Sequence, residues 1–316
     1  MVILFLAFNV IFAGLLAPLI LFWGPFDALK IIAVGSVYTS RHPQVVQFFL
    51  SEEQISNIMH AYDYRNNGNN FVDKSDSFQD TGEGITIEDI EGKNYYGLTY
   101  KGKVMLIKDP TRIKVAVTSQ LGITGERLTD IVAHNQAIAG INAGGFYDPA
   151  GKGNGAYPDG IAVHNGEIIH NSDGDKAQDM IAFDAKGKLI LETLNVAQIK
   201  ERNIREGVSF YPNLIKDGKS LVSGDGGWGM APRTGIGQTA DGTVIFVVID
   251  GRQPLWSSGA ALSDLVTVFK NYGAVTAANL DGGSTSEMIY SGKILNKLWN
   301  IFGERYMPTA FVVTTK

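Results

Sequence analysis

Ala274-Val275-Thr276-Ala277-Ala278-Asn279-Leu280-Asp281-Gly282-Gly283-Ser284-Thr285 is the stretch on which the reading of this chain turns. A small, largely apolar run has the composition of a buried strand, and it ends in a carboxylate followed by a glycine turn. Glycines let neighbouring N–H groups point at one spot, and such a concavity takes anionic oxygen. An Asp-Gly-Gly turn also forms for local reasons alone, so the surrounding sequence has to separate the two readings.

Upstream, residues 243–250 carry the continuous apolar run Val244-Ile245-Phe246-Val247-Val248-Ile249, which implies a strand buried on both faces. In between, Leu262, Leu265, Val266, Phe269 and Tyr272 fall on one helical face, and Gly273 stands where a helix would end. Strand, helix and strand at this length predict a crossover unit with parallel strands. Both strands then finish at one sheet edge, bringing Asp250-Gly251-Arg252 together with Asp281-Gly282-Gly283 where open α/β sheets hold ligands.

The rest of the globular part reads as short strand pairs. Residues 103–108 and 113–118 flank Asp109-Pro110-Thr111, and residues 180–184 and 188–193 flank Ala185-Lys186-Gly187. Residues 161–164 and 167–170 flank Asn165-Gly166, the strongest two-residue hairpin signal. The expected fold class is therefore α+β: a mixed sheet with antiparallel hairpins and a βαβ unit that carries the site. An N-terminal transmembrane helix is expected to precede it.

Two further stretches bear on function. Asn142-Ala143-Gly144-Gly145-Phe146-Tyr147 closes an apolar run, and Pro232-Arg233-Thr234-Gly235-Ile236-Gly237 precedes the 243–250 strand. With Leu280-Asp281-Gly282-Gly283-Ser284, and in this order, they resemble the phosphodiester glycosidase family. That family's pattern runs roughly Asn-Ala-Gly-Phe-Phe, Pro-Arg-Thr-Ala-Ile-Gly and Leu-Asp-Gly-Gly-Gly-Ser. Here Gly144-Gly145 differs by one residue, Gly235 replaces Ala, and Ser284 stands where a third glycine is common. The resemblance covers about residues 95–316.

The 316 residues carry a net charge of -5, 19% charged residues and no long basic run. This argues against a nucleic-acid partner, which needs clustered positive surface. Glycine, at 37 residues, is well above the usual share of about 7% and points to many turns. Without cysteine there is no disulfide, zinc–thiolate site or thiol nucleophile.

Residues 1–26 contain no charged side chain, and their length suits a bilayer span. They lack the basic start and short apolar core of a cleaved signal peptide. The expected organisation is an anchor over 1–26, a juxtamembrane helix and polar linker over 27–94, and a catalytic domain over 95–316. Within the middle segment, Ser51-Glu52-Glu53-Gln54 reads as a helix start and residues 63–83 as a polar linker. Lys30 and Arg41 follow the span, which by charge alone places the bulk of the chain inside. The resemblance implies the outside instead: a single-pass membrane protein with an extracytoplasmic catalytic domain.

A sugar-1-phosphodiester keeps one negative charge at physiological pH. Arg233 is the expected clamp, because a guanidinium matches two phosphate oxygens and stays charged. Arg252 is the second candidate, and Gly282, Gly283, Ser284 and Thr285 complete a cradle. Glycoside cleavage ordinarily uses two carboxylates. A phosphomonoester is a good leaving group, however, with a second pKa near 6, so one carboxylate suffices as nucleophile or as base for water. Asp281 is the first choice, Asp250 the second and Glu287 the third. Asn142 either orients a sugar hydroxyl or a site side chain, or bonds the backbone of its own turn. The resemblance adds Thr234, beside Arg233, to the substrate-binding set.

The five histidines form no ligand set, although His164 and His170 are expected to face each other across their hairpin. No metal or cofactor is expected. Tyr147, Tyr157, Trp228 and Trp256 lie near the motifs as candidates for stacking on sugar rings. The expected activity is hydrolysis of the bond between a sugar's anomeric carbon and a phosphodiester, acting on glycan or sugar-phosphate polymers of the cell envelope or on exported glycans. Two other functions stay open from sequence: a metal-dependent phosphodiesterase, and a non-catalytic module that binds anionic polysaccharide.

Overall fold

The computed structural model describes residues 12, 16–26, 30, 33–34, 37, 44–60, 72–149, 153–300 and 302–315. Among them the strands form three sheets, antiparallel at every pairing. The largest runs β1 (Val72–Asp80), β2 (Ile85–Lys93), β3 (Thr99–Ile107), β14 (Val244–Ile249), β13 (Arg233–Thr239), β15 (Ala274–Asn279), β11 (Asn213–Lys216) and β12 (Lys219–Ser220). A second runs β7 (Glu167–Asn171), β6 (Ile161–His164), β10 (Ile204–Ser209), β8 (Gln178–Asp184) and β9 (Leu189–Leu194). The third runs β17 (Lys293–Ile294), β16 (Met288–Tyr290), β5 (Ala137–Asn142), β18 (Thr309–Thr314) and β4 (Ile113–Val117). The helices are α1 (Gln44–Gln47), α2 (Glu52–His60), α3 (Leu128–His134), α4 (Val196–Glu201) and α5 (Leu262–Asn271).

β14 is buried along its whole length because alternate residues feed two cores. Val244, Phe246 and Val248 join Met105, Ile141, Phe183 and Phe311 in a core shared by the three sheets. Ile245, Val247 and Ile249 face the other way, toward Leu265, Val268 and Phe269 of α5. This two-sided demand is what the unbroken apolar run of the sequence encodes.

β14, α5 and β15 form the expected crossover with one refinement. β13 is inserted between the two strands, antiparallel to each, which leaves β14 and β15 parallel to one another. The insertion works because β13 is thin: a Cβ on Gly235 or Gly237 would come within 2.9 and 2.8 Å of the Phe269 ring. The ring of α5 lies directly on that glycine pair. Gly235, where the family pattern has alanine, is thus matched to Phe269.

Other expectations need correction. β3 and β4 do not pair; Pro110–Arg112 forms a short 3-10 turn that sends them into different sheets. In the β6–β7 hairpin, Asn165 and Gly166 both have positive φ, as its tight turn requires. His164, however, lies opposite Glu167, and His170 opposite Ala162. The two histidines therefore do not face each other. His164 instead lies 3.2 Å from the buried Glu206 carboxylate.

The boundary expected near residue 95 also moves. β2, assigned to the linker by sequence, buries Ile85 and Ile87 in the core shared by the three sheets and Ile90 in the core under α5, and pairs with β3 over its full length. Val72–Asp80 adds an edge strand to the same sheet. Of the polar linker expected over residues 63–83, residues 63–71 lie outside the described residues. Ser51 starts α2 as expected: its hydroxyl accepts from Gln54 N at 3.2 Å, and its own N–H donates to the Gln54 side chain at 2.9 Å.

Of the expected membrane span, residues 1–11 and 13–15 lie outside the described residues. Residues 16–23 are helical, and Phe22 stacks on Phe49 at 5.0 Å between ring centroids. No helix among the described residues is long and apolar enough to cross a membrane.

Candidate active site

β13 starts and β15 finishes at one edge of the large sheet, where Arg233 and Asp281 emerge. The chain after β15 turns back against β13: Gly283 N–H donates to Pro232 O at 2.9 Å, and Leu280 N–H to Thr234 O at 2.9 Å. A Cβ on Gly282 would lie 2.9 Å from Pro232 O, so only glycine allows this approach. Gly283 has φ +68°, a left-handed conformation that favours glycine, and a Cβ there would only touch the Arg252 guanidinium, at 3.4 Å. The two glycines therefore serve tight backbone packing as well as conformation.

This corner opens into a cavity of about 1040 Å³. Arg233, Arg252, Asp281, Gly282, Gly283, Ser284 and Thr285 line it, joined by Arg305, which the sequence reading missed. Arg233 is 4% exposed and is held from behind by carbonyls. Its Nε donates to Ala260 O at 3.0 Å, and its Nη2 to Trp228 O at 3.0 Å and Gly229 O at 2.7 Å. Burial, followed by the neighbouring Arg252 charge, pulls the Arg233 guanidinium down to about 10, still charged at neutral pH. Burial also lowers Arg252, whose Nε is buried without a hydrogen bond.

Among the described residues, neither arginine has a carboxylate ion-pair partner. Asp264 and Asp225 offset part of the Arg233 charge from beyond ion-pair distance, while Arg252 repels it, so the cavity these two cations share favours an anion. Arg305 is different, because it reaches Ser284 Oγ at 3.2 Å and pairs with Asp148 at 3.3 Å.

A family model of phosphodiester glycosidases matches residues 135–314, a segment that contains every one of these groups. The chain belongs to the phosphodiester glycosidase family. The family takes its name from glycosidase chemistry on phosphodiesters. The catalytic domain of zebrafish N-acetylglucosamine-1-phosphodiester alpha-N-acetylglucosaminidase, auto-inhibited by its pro-peptide, superposes with a TM-score of 0.63 at 16% identity. The match covers 80% of this chain and 90% of that one. A hypothetical protein from Synechocystis matches with a TM-score of 0.59 at 16% identity, over 78% of this chain and 64% of its own. These two share the fold. In sequence, the SPbeta prophage-derived protein YomE of Bacillus subtilis (strain 168) is 26% identical over 199 residues, 60% of this chain. The match spans only 29% of YomE's length.

Within this phosphodiester glycosidase, the residues singled out by sequence divide into cavity and scaffold. Asp250 ends β14 at the expected edge but does not line the cavity. Its Oδ2 accepts from Trp256 Nε1 at 2.7 Å, and its Oδ1 from Asn296 Nδ2 at 3.2 Å and Lys297 N at 3.0 Å. Burial raises its pKa despite these donors. Asp250 thus ties two loops together, and the two-carboxylate pocket expected from strand direction does not form. Trp256 is its partner rather than a sugar platform.

Asn142 and Thr234 are likewise scaffold, 2% and 0% exposed and absent from the cavity wall. The Asn142 amide donates to Asp281 O at 2.6 Å, and accepts from Thr234 Oγ1 at 2.8 Å and Glu287 N at 3.1 Å. It therefore joins the ends of β5, β13 and β15. Glu287, the third-choice acid, is buried beside Glu304, outside the cavity wall. The Gly283 N–H is spent on Pro232 and cannot serve the cradle. By contrast, the N–H groups of Gly282 and Ser284 make no hydrogen bond to the described residues. Thr285 Oγ1 lies 2.9 Å from Asp281 Oδ2 and orients that carboxylate.

Tyr147 and Tyr157 lie off the cavity wall, whereas Trp228 is on it together with Phe210 and Tyr211, which sequence reasoning missed. Among the described residues, no three His, Asp or Glu side chains are placed to hold one metal ion.

Proposed function

We propose that this chain hydrolyses sugar-1-phosphodiesters at the anomeric C–O bond. The observation that carries this is a buried guanidinium, Arg233, and a half-buried one, Arg252, each without a carboxylate at ion-pair distance, on one cavity wall with the Asp281 carboxylate. Arg233 and Arg252 hold the phosphate, and the N–H groups of Gly282 and Ser284 are available to its remaining oxygens. Asp281 acts at the anomeric carbon, either by attack or by taking a proton from water. The phosphomonoester leaves as an anion against the two guanidiniums. Its second pKa near 6 removes the need for a protonated acid.

Solvent oxygen then ends on the sugar. Hydrolysis of a hexose 1-(methyl phosphate) in isotopically labelled water should give labelled free sugar and unlabelled methyl phosphate. Label on phosphorus would mean that the P–O bond breaks, which identifies a phosphodiesterase. Retention of anionic polymer without turnover would identify a binding module.

The uncharged run over residues 1–26 supports an N-terminal anchor, and the family resemblance supports a catalytic domain outside the cell, with cell-envelope or exported glycans as substrates. Protease added to intact cells should then degrade the domain. Protection until lysis would place it inside.

A further inference from the structure

The charged corner accounts for only part of the cavity. Phe210 and Tyr211 follow β10 and lie against Trp228, giving an aromatic wall on the same cavity. Phe210 and Tyr211 stack at 5.7 Å between centroids, and Tyr211 meets Trp228 edge-on at 5.5 Å. Tyr211 is 57% exposed, an unusual position for a ring that others hold so firmly.

The wall is tied to the reacting groups on both sides. Trp228 carries the Arg233 guanidinium 5.7 Å from its ring centroid, and its carbonyl accepts from that guanidinium. On the other side, Asn279 N–H donates to Pro212 O at 3.0 Å, and Asn279 Nδ2 donates to Tyr211 O at 3.3 Å. Asn279 is two residues before Asp281. The aromatic surface is thus bracketed by the anion clamp and the carboxylate. Gln178 and Asp179 line the same cavity, and Gln178 Oε1 and the second Asp179 carboxylate oxygen, its Oδ1 being taken by Thr193, can accept hydroxyl protons.

Taking the charged corner as the phosphate and reaction site, we infer that the Phe210–Tyr211–Trp228 wall is the subsite for the sugar ring. A pyranose has an apolar face of C–H groups and a rim of hydroxyls. It lies face-on against Tyr211, with its hydroxyl rim toward Gln178 and Asp179 and its anomeric carbon toward Asp281. The substrate class is a pyranosyl phosphodiester whose sugar, rather than its aglycone, enters along the second sheet.

The test uses the full chain with two probes bound separately: methyl pyranosides of glucose, mannose, galactose and N-acetylglucosamine, and inorganic phosphate. Saturation-transfer NMR on the wild type should mark the protons of one ring face of at least one pyranoside. Tyr211→Ala should weaken that pyranoside about tenfold and leave phosphate binding unchanged, and Tyr211→Phe should recover the affinity. Equal weakening of both probes, no weakening of either, or no pyranoside binding to the wild type would overturn the assignment. Failure of the reaction is read separately. Pyranoside binding that depends on Tyr211, without hydrolysis, would leave the sugar wall and remove the proposed chemistry. Hydrolysis with an unaltered KM in Tyr211→Ala would do the reverse.

Discussion

Asn142 holds Asp281 by its backbone: the Asn142 Nδ2 donates to the Asp281 carbonyl at 2.6 Å from a residue 139 positions earlier. The same amide accepts from Thr234 and Glu287, so one side chain fixes three segments around the cavity corner. Asn142→Ala should cost about 2–4 kcal/mol of stability, because a carbonyl, a hydroxyl and an N–H are left buried and unsatisfied. It should also lower kcat more than it raises KM, since Asp281 loses its placement. Urea unfolding together with steady-state kinetics checks both effects. Normal kcat in a folded variant would show that Asp281 does not depend on this support.

Arg233 and Arg252 should separate function from stability. Arg252→Ala removes a desolvated charge that repels its neighbour, so it should raise stability by about 1 kcal/mol while weakening phosphate binding at least tenfold. Arg233→Ala should weaken phosphate binding as well, but cost about 2–4 kcal/mol of stability by orphaning three carbonyl contacts. Phosphate titration and urea midpoints on both variants make the comparison. Similar stability changes in the two would contradict the difference in their surroundings.

Asp281→Asn keeps the size of the side chain and a group for Thr285 to contact. It should abolish most of kcat while phosphate and substrate bind as well as before, or tighter, because repulsion between carboxylate and phosphate disappears. Weakened binding with preserved turnover would move the reacting group elsewhere.

Gly235→Ala should destabilise the domain by about 1–3 kcal/mol, since the new Cβ would sit 2.9 Å from the Phe269 ring. Adding Phe269→Leu should return part of that loss by making room. Thermal unfolding of the single and double variants reads the coupling. An additive pair would mean that the ring does not press on the glycine.

Stability should fall as pH rises from about 5 toward 9. Burial and the adjacent Glu304 raise the Glu287 carboxyl from 4.5 to about 9 in the folded chain. Between those values the folded state keeps a proton that the unfolded state releases, so folding weakens with increasing pH by up to about 1.4 kcal/mol per unit. Glu287→Gln should flatten that slope and be more stable than wild type near pH 8. Urea midpoints across the range decide it, and parallel slopes in the two proteins would show Glu287 ionised throughout.

The sequence made β14, α5 and β15 legible, because a two-sided apolar run and a helical stripe follow directly from burial. The insertion of β13 between them was not legible: Thr234-Gly235-Ile236-Gly237 has no strong strand pattern. Its place depends on the Phe269 ring meeting two glycines from 30 residues away or more. Strand direction correctly put Asp250 and Asp281 at one edge, yet the fate of the Asp250 side chain was set by Asn296 and Lys297, at a sequence distance no local pattern reports. Arg305, Phe210 and Tyr211 escaped notice for the same reason. Each reaches the cavity through tertiary packing and carries no local signature of its own.

The cavity lies between the large sheet, whose edge supplies the arginines and Asp281, and the second sheet, whose β8–β10 region supplies Gln178, Asp179 and Phe210. The two halves come from different stretches of chain and have different tolerances. In the charged half, Gly282, Arg233 and Asn142 are locked by close backbone approach, carbonyls and a buried amide network, so replacements at those positions cost stability. Gln178, Asp179 and Tyr211 are partly or largely open to solvent, and changes at such positions are ordinarily near neutral for stability. If the aromatic wall holds the sugar as proposed, selection can retune which glycan is accepted by drifting along that wall while the opposite one stays fixed.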